Sequence, residues 1–239
     1  AGDQASAYFG HRTGPAGDVN GDGFADLFVG VEGRDNGETD EGGALMLDCR
    51  SLQATPVPLP DGASFLLVNS MVDHQLVAGE YKQRREDCEA GARTLGVPTL
   101  RDVAETDLPA ALQRLSGAAA KRCRHVVTEN ARVGRAVSAM TAGDLAALGA
   151  LMNQSHASLR DDMEVSLPVV DQLAAIAQAT PGVHGARLMG GGFGGCVIAL
   201  VGCLGVRPDL KTTTRRPALL MRRIERSSRS PSSGAKPST

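Results

Sequence analysis

The order of hydrophobic patterns along the chain predicts an α+β fold, with helices laid on one side of a mixed or antiparallel sheet. Three observations carry that prediction. Two short apolar runs bounded by turn residues, ALMLD ending at Asp48 and SFLLVNS from Ser64 to Ser70, read as strands. Four stretches between residues 80 and 179 then follow helical periods. Last come VHGARLM and CVIALV, two apolar runs that read as strands on either side of a glycine-rich connection.

Taken in order, the Pro-rich stretch Thr55 to Gly62 turns the chain between the first two strands. From Glu80 to about Leu95 opposite charges recur four residues apart: Glu80 with Arg84, Lys82 with Glu86, Arg85 with Glu89. Such pairs sit on one helical face and support it. From Arg122 to Met140 the positions Val126, Val133, Val137 and Met140 predict the buried face of a second helix. Thr141 with Asp144 predicts a capping box, and Leu145, Leu148, Leu151 and Met152 give the third helix its apolar stripe. A fourth runs from about Pro168 to Ala179 and is stopped by Thr180, Pro181 and Gly182.

The connection between the last two strands holds Gly190, Gly191, Gly192, Gly194 and Gly195 within six residues. Clustered glycines permit positive φ and let N–H groups converge on an anion. They equally permit a tight hairpin turn. Gly190, Gly192 and Gly195 match the spacing GxGxxG, but that dinucleotide fingerprint requires a helix after it, and here a strand follows. No P-loop spacing occurs. From spacing alone the run fits an anion-binding turn or a plain hairpin.

Composition bounds the remaining possibilities. At 239 residues with no Trp and two Tyr, the core must rest on Leu, Val, Ala and Met. No apolar run is long enough to span a membrane, and the first residues lack the pattern of a signal peptide. Five scattered cysteines (Cys49, Cys88, Cys123, Cys196, Cys203) without CxxC spacing argue for lone thiols in a reducing, cytoplasmic setting. The net charge of -2 hides an uneven distribution. Residues 1–43 carry nine acids and two arginines, whereas residues 207–239 carry nine Lys or Arg and two acids. Neither end is like the middle, which marks a composite chain with junctions near residues 43 and 205.

In the acidic front, GDVNGDGFADLFVG places Asp18, Asn20, Asp22 and Asp26 at loop positions 1, 3, 5 and 9, with Gly23 at the sharp turn and the Phe24 carbonyl at position 7. Alternating oxygen ligands around a turn suit a hard cation such as Ca²⁺. Val29 stands where an EF-hand needs Glu, and the flanks are strand-like, so the loop is of another kind. With Phe9, Gly10 and NGETDEGGA, residues of about 5–43 resemble one FG-GAP repeat, the blade unit of integrin-type β-propellers. A single blade cannot close a propeller, because such repeats bury their faces only against neighbours. The basic Ser/Pro/Arg-rich tail, residues 206–239, has no sustained periodicity and reads as disordered. It offers no aromatic residues for base stacking, so nucleic acid is not an expected partner.

The middle of the chain carries a second resemblance. DCRSL (Asp48–Leu52), EYKQRREDCE (Glu80–Glu89), RHVVTEN (Arg124–Asn130), NQSHASLRDDMEVSLP (Asn153–Pro168) and GAR followed by MGGGFGGC occur in the order and at about the spacing of galactokinases, members of the GHMP small-molecule kinases. The resemblance covers about residues 44–201. It implies a ferredoxin-like GHMP C-terminal domain, domain limits of 44–205, and galactose, ATP and Mg²⁺ as substrate and cofactors. The family has a further helix and closing strand beyond residue 205, so their lack here implies an incomplete fold with an unpaired sheet edge.

By position, Tyr81 matches the tyrosine that contacts galactose, and Gly190, Gly191, Gly192, Gly194 and Gly195 match the third GHMP motif, which shapes the phosphate site. Met189 stands where the family has a small hydroxyl residue. The family's sugar-binding segment and its nucleotide-cradling glycine loop have no counterpart in this sequence. Its catalytic aspartate precedes DCRSL in an Asp-Gln pair. Asp3 and Gln4 form such a pair, but the calcium-loop segment separates them from Asp48, and the same residues suit an FG-GAP repeat. The resemblance therefore implies a galactokinase-like segment that is inactive alone, with a calcium-binding interaction module as the alternative. Which protein partner, if any, the chain takes is not indicated. His125 and His156 fall inside the matching blocks and read as structural.

Overall fold

A computed structural model describes residues 8–17, 26–32, 44–48, 50–72 and 77–202. Its centre is a three-stranded antiparallel sheet in the order β5-β7-β6, built from β5 (Ala63–Asn69), β6 (Val183–Met189) and β7 (Cys196–Gly202). The register runs from Ala63 opposite Gly202 to Asn69 opposite Cys196, and Met189 also faces Cys196. Two separate hairpins precede it: β1 (Tyr8–Gly17) with β2 (Asp26–Glu32), and β3 (Ala44–Asp48) with β4 (Gln53–Val57). The helices are α1 (Val77–Leu95), α2 (Leu108–Gln113), α3 (Gly117–Thr141), α4 (Leu145–Asp161) and α5 (Pro168–Gln178).

The α+β expectation holds, as do the three charge pairs on α1: Glu80–Arg84 at 3.2 Å, Lys82–Glu86 at 3.8 Å and Arg85–Glu89 at 2.9 Å. Three details correct the sequence reading. Part of the Pro-rich stretch is strand β4, with Pro56 opposite Leu45; a two-stranded hairpin leaves one edge of each strand free, where a missing N–H costs nothing. Thr141 is the last residue of α3, its hydroxyl bonded to the Val137 carbonyl, and Asp144 alone caps α4 by accepting from the Ala147 N–H. Val133 is exposed, whereas the interior face of α3 continues through Glu129 and Arg132. Two charged residues hold buried positions that a count of apolar residues passes over.

Three apolar clusters join these layers. Val68, Val197, Ala199, Ala186 and Leu188 of the sheet meet Val170, Leu173, Ala174 and Ala177 of α5. Cys88, Leu100, Cys123 and Val126 tie α1 and the following turn to α3, and both cysteines are free thiols. Leu200 meets Ala139, Leu148 and Met152 at the far end.

The outer edge of β6 is covered by side chains of the helices instead of another strand. Asn153 Oδ1 accepts from the Ala186 N–H at 2.9 Å, His156 Nδ1 accepts from the Leu188 N–H at 3.2 Å, and Gln178 donates to the Ala186 carbonyl at 2.8 Å. The helix can come this close because glycines meet: a Cβ on Gly149 would lie 2.2 Å from the His184 carbonyl oxygen, and one on Gly185 would lie 2.1 Å from that of Gly149. On the other side, β5 has no outer strand partner among the described residues; the closing strand expected to be lacking concerns residues beyond 205, which lie outside them.

Candidate functional site

The six residues between β6 and β7 form a turn that only a glycine-rich sequence can follow. Gly190, Gly192, Gly194 and Gly195 have φ of +83°, +92°, +128° and +80°. Those values lie in or near the left-handed region, which is costly for residues bearing a Cβ. Phe193 is also left-handed, at +56°, and it is held there from several sides. Its N–H donates to the Val165 carbonyl at 2.6 Å, its ring meets Tyr81 edge-on with centroids 5.4 Å apart, and the Arg84 guanidinium lies 5.7 Å from the ring centroid. At the other end, the Gly195 carbonyl accepts from the Ser70 N–H at 2.9 Å, and its N–H reaches the Val72 carbonyl at 3.4 Å.

Tyr81 and the glycine turn, expected to share a site, are brought together. A Cβ on Gly191 would sit 1.8 Å from the Tyr81 hydroxyl oxygen, so the phenol lies directly on the turn's backbone. Tyr81 is 38% exposed, and partial burial raises its pKa above the ordinary phenol value. At neutral pH it is a neutral hydrogen-bonding group and no base. The N–H groups of Gly191, Gly192 and Gly194 have no acceptor among the described residues. They are the donors that an anion would use. Arg84 is the cation at the turn, but it also pairs with Glu80 and donates to the carbonyls of Met163 and Glu164. Met189 adds no donor. No three His, Cys, Asp or Glu side chains converge as metal ligands among the described residues, so no all-protein metal cage is formed there.

Behind β6 lies a buried ionic cluster that the sequence reading missed. Glu129, 2% exposed, accepts from Arg132, from the Ser155 hydroxyl and from Arg187 at 3.3 Å. Burial lowers the Arg187 pKa to about 10, which leaves it a cation at neutral pH. His125 donates from Nδ1 to Ser158, which donates in turn to Asp162. Burial, with Arg132, Arg187 and Arg122 nearby, lowers the His125 pKa to about 3 and keeps the ring neutral. His156 is lowered too, by burial first; its Nδ1 accepts from β6, so its proton sits on Nε2, 3.5 Å from Asp171 Oδ1. Both histidines are buried and hydrogen-bonded within the fold. The signal for the cluster was present as Glu129 and Arg132 three residues apart, within pairing range on a helix.

Asp48 and Arg50 of the DCRSL block clasp the turn after α1. Arg101 grips Asp48 with two bonds, of 3.0 and 2.5 Å, and Arg50 bonds Asp102 at 2.7 Å. The Arg101 guanidinium holds the Asp48 carboxyl well below the usual carboxylate range. Of the other candidates, Asp3, Asp18, Asn20, Asp22 and Phe24 lie outside the described residues, as does the tail from residue 203. Asp26 is the first residue of β2.

Comparison with known proteins now bears on this geometry. Residues 136–219 match the family model described as GHMP kinases C terminal, and residues 9–45 match the FG-GAP repeat. Over 160 residues the chain is 51% identical to a galactokinase of Pasteurella multocida and 52% identical to one of Haemophilus influenzae; each match covers 65% of this chain and 42% of the relative. The crystal structure of Lactococcus lactis galactokinase complexed with galactose superposes with a TM-score of 0.64 at 35% identity, over 67% of this chain and 43% of that one. The matched stretch belongs to the galactokinase family. The chain spans less than half the length of these galactokinases, and the stretch corresponds to their GHMP C-terminal part. Among the described residues no helix is long and apolar enough to cross a membrane.

Proposed function

We propose that the galactokinase-type segment forms one wall of a site for ATP-dependent phosphorylation of galactose to galactose 1-phosphate. In this reading the glycine turn faces phosphate and Tyr81 faces the sugar. The observation that carries it is the seating of the Tyr81 hydroxyl on Gly191, which puts a neutral hydrogen-bonding group beside backbone donors that have no acceptor among the described residues. ATP, when bound, supplies the phosphoryl group. The N–H groups of Gly191, Gly192 and Gly194 would hold its oxygens, and Tyr81 would orient a sugar hydroxyl. Orientation alone does not complete the reaction. The base and Mg²⁺ ligands would come from outside the described residues, and the chain by itself turns over no galactose.

Two measurements test this. Titration with ATP should shift the backbone amide resonances of Gly191, Gly192 and Gly194 ahead of those in α5; unmoved glycine amides would remove the phosphate role. Galactose-dependent ATP consumption by the purified chain should stay at background, and turnover above it would overturn the statement that this wall is insufficient. The FG-GAP match over residues 9–45 supports a second reading for the front of the chain, a calcium-binding module using Asp18, Asn20, Asp22, the Phe24 carbonyl and Asp26. Calcium should then raise the melting temperature and EDTA reverse the rise. No shift at millimolar calcium would remove this reading.

A further inference from the structure

The segment from Asp162 to Val165 stands out because its four consecutive carbonyl oxygens all accept from elsewhere in the fold. Asp162 O accepts from Arg122 Nη1, Met163 O from Arg84 Nε at 3.0 Å, Glu164 O from Arg84 Nη2 at 2.9 Å, and Val165 O from the Phe193 N–H at 2.6 Å. Three of these donors are guanidinium nitrogens of two arginines, Arg84 on α1 and Arg122 on α3, and the fourth is the Phe193 N–H of the glycine turn itself. Glu164 holds a left-handed φ of +55° within this segment, a conformation that needs outside support in a residue with a side chain. Its carboxylate accepts from Arg122 at 2.9 Å and from Lys121.

Arg122 is 1% exposed and also bonds Asp87 of α1, so its charge is met by carboxylates from two directions. A buried guanidinium with fixed partners at this density is a rigid part, because losing one partner leaves an uncompensated charge. Gly192 completes the contact from the other side: a Cβ there would fall 2.4 Å from Val165 O. The turn therefore rests on residues 162–165, and residues 162–165 rest on two arginines.

We infer that Arg84 and Arg122 are positioning residues for the glycine turn, acting through the carbonyls of residues 162–165, and for Arg84 also through its contact with the Phe193 ring, to hold Phe193 left-handed and the Gly191, Gly192 and Gly194 N–H groups in place. Neither arginine needs to touch a ligand for this. The consequence for phosphate binding rests on the function proposed above; the clamp itself does not.

Hydrogen exchange of the Phe193 amide tests the clamp directly, since that proton lies in the bond to Val165 O. In the full chain, Arg84→Ala and Arg122→Lys should speed exchange at Phe193 roughly tenfold or more relative to amides of β7 such as Ala199. Arg85→Ala, which breaks only an exposed pair on α1, should leave that ratio unchanged. Uniform acceleration at Phe193 and Ala199, or none at Phe193, overturns the inference. Should Arg122→Lys fail to fold, Arg84→Ala with the Arg85→Ala control decides by the same ratio. Titrating the wild-type chain with inorganic phosphate separates the two readings: a Phe193-specific exchange effect without shifts at the glycine amides upholds the clamp and removes the phosphate role.

Discussion

Two neighbouring glycines in one turn should respond in opposite ways to the same added methyl group. Gly192→Ala places a Cβ 2.4 Å from the Val165 carbonyl oxygen at a residue with φ of +92°. The backbone conformation costs about 1–2 kcal/mol for a residue with a side chain, and crowding against main chain that cannot swing aside costs about 1–3 more. The total, about 2–5 kcal/mol, is a large part of the roughly 5–15 kcal/mol available to a domain. For a chain of this size it lowers the melting temperature by roughly 4–20 °C.

Gly191→Ala meets the end of a flexible side chain instead, the Tyr81 hydroxyl at 1.8 Å, and Gly191 has no positive φ. The phenol can swing away at a cost of about 1 kcal/mol, so stability barely moves while Tyr81 leaves its seat. The chain has no Trp and only two Tyr, so tyrosine fluorescence and near-UV circular dichroism read Tyr81 with little background. The expected pattern is a large fall in melting temperature with Gly192→Ala and a large spectral change at nearly unchanged stability with Gly191→Ala. Equal destabilisation by the two variants, or a silent tyrosine signal in Gly191→Ala, would refute the packing described for the turn.

Other expectations follow from the interior. His125 has a folded pKa of about 3 against an ordinary 6.5, so between those values the unfolded chain binds more protons and stability falls as pH drops; the loss at pH 5 is about 2 kcal/mol, and urea melts across pH 4–8 should show it in the wild type and not in His125→Gln. Glu129→Ala leaves Arg132 and Arg187 without their shared carboxylate and should cost about 3–5 kcal/mol, with urea denaturation as the check; a loss under 1 kcal/mol would mean that the arginines find other partners. Gly149→Ala drives a Cβ to 2.2 Å from a carbonyl oxygen of β6 and should lower the melting temperature by at least as much as Gly192→Ala, whereas Gly134→Ala on α3, where nothing lies within 4 Å, should be neutral or stabilising.

What the sequence revealed and what it hid divide along a physical line. The strands of the central sheet, the charge pairs on α1 and the approach of Tyr81 to the glycine turn were legible, because local periodicity and the order of matching blocks report them directly. The face of α3 was misread at Val133 because buried positions there are filled by Glu129 and Arg132, which stabilise each other only once Arg187 and Ser155 arrive from elements more than twenty residues away. The clasp of Asp48 by Arg101 was invisible for the same reason, a partner 53 positions distant. The cap of α4 was placed at Thr141 from a pattern that Asp144 satisfies without it. Strand β4 is hidden because the prolines that read as a turn of the chain are also tolerated at a hairpin's free edge.

Of the blocks shared with galactokinases, all but DCRSL converge on the placement of a single turn; Asp48 and Arg50 hold the turn after α1 instead. From the block at Glu80–Glu89, Tyr81 and Arg84 touch the turn and Asp87 anchors Arg122. From the block at Asn153–Pro168, Asn153 and His156 seat β6, which leads into the turn, and residues 162–165 carry it from below. Glu129, in the block at Arg124–Asn130, neutralises Arg187 on the same strand. Residues so distributed are explained by one requirement, that Gly190–Gly195 keep a fixed shape against Tyr81, more simply than by separate contacts to a ligand. A segment carrying all of them should keep that shape without the rest of a galactokinase. The turn's amides should thus exchange slowly at Phe193 in this chain as it stands, before any nucleotide, sugar or second wall is supplied.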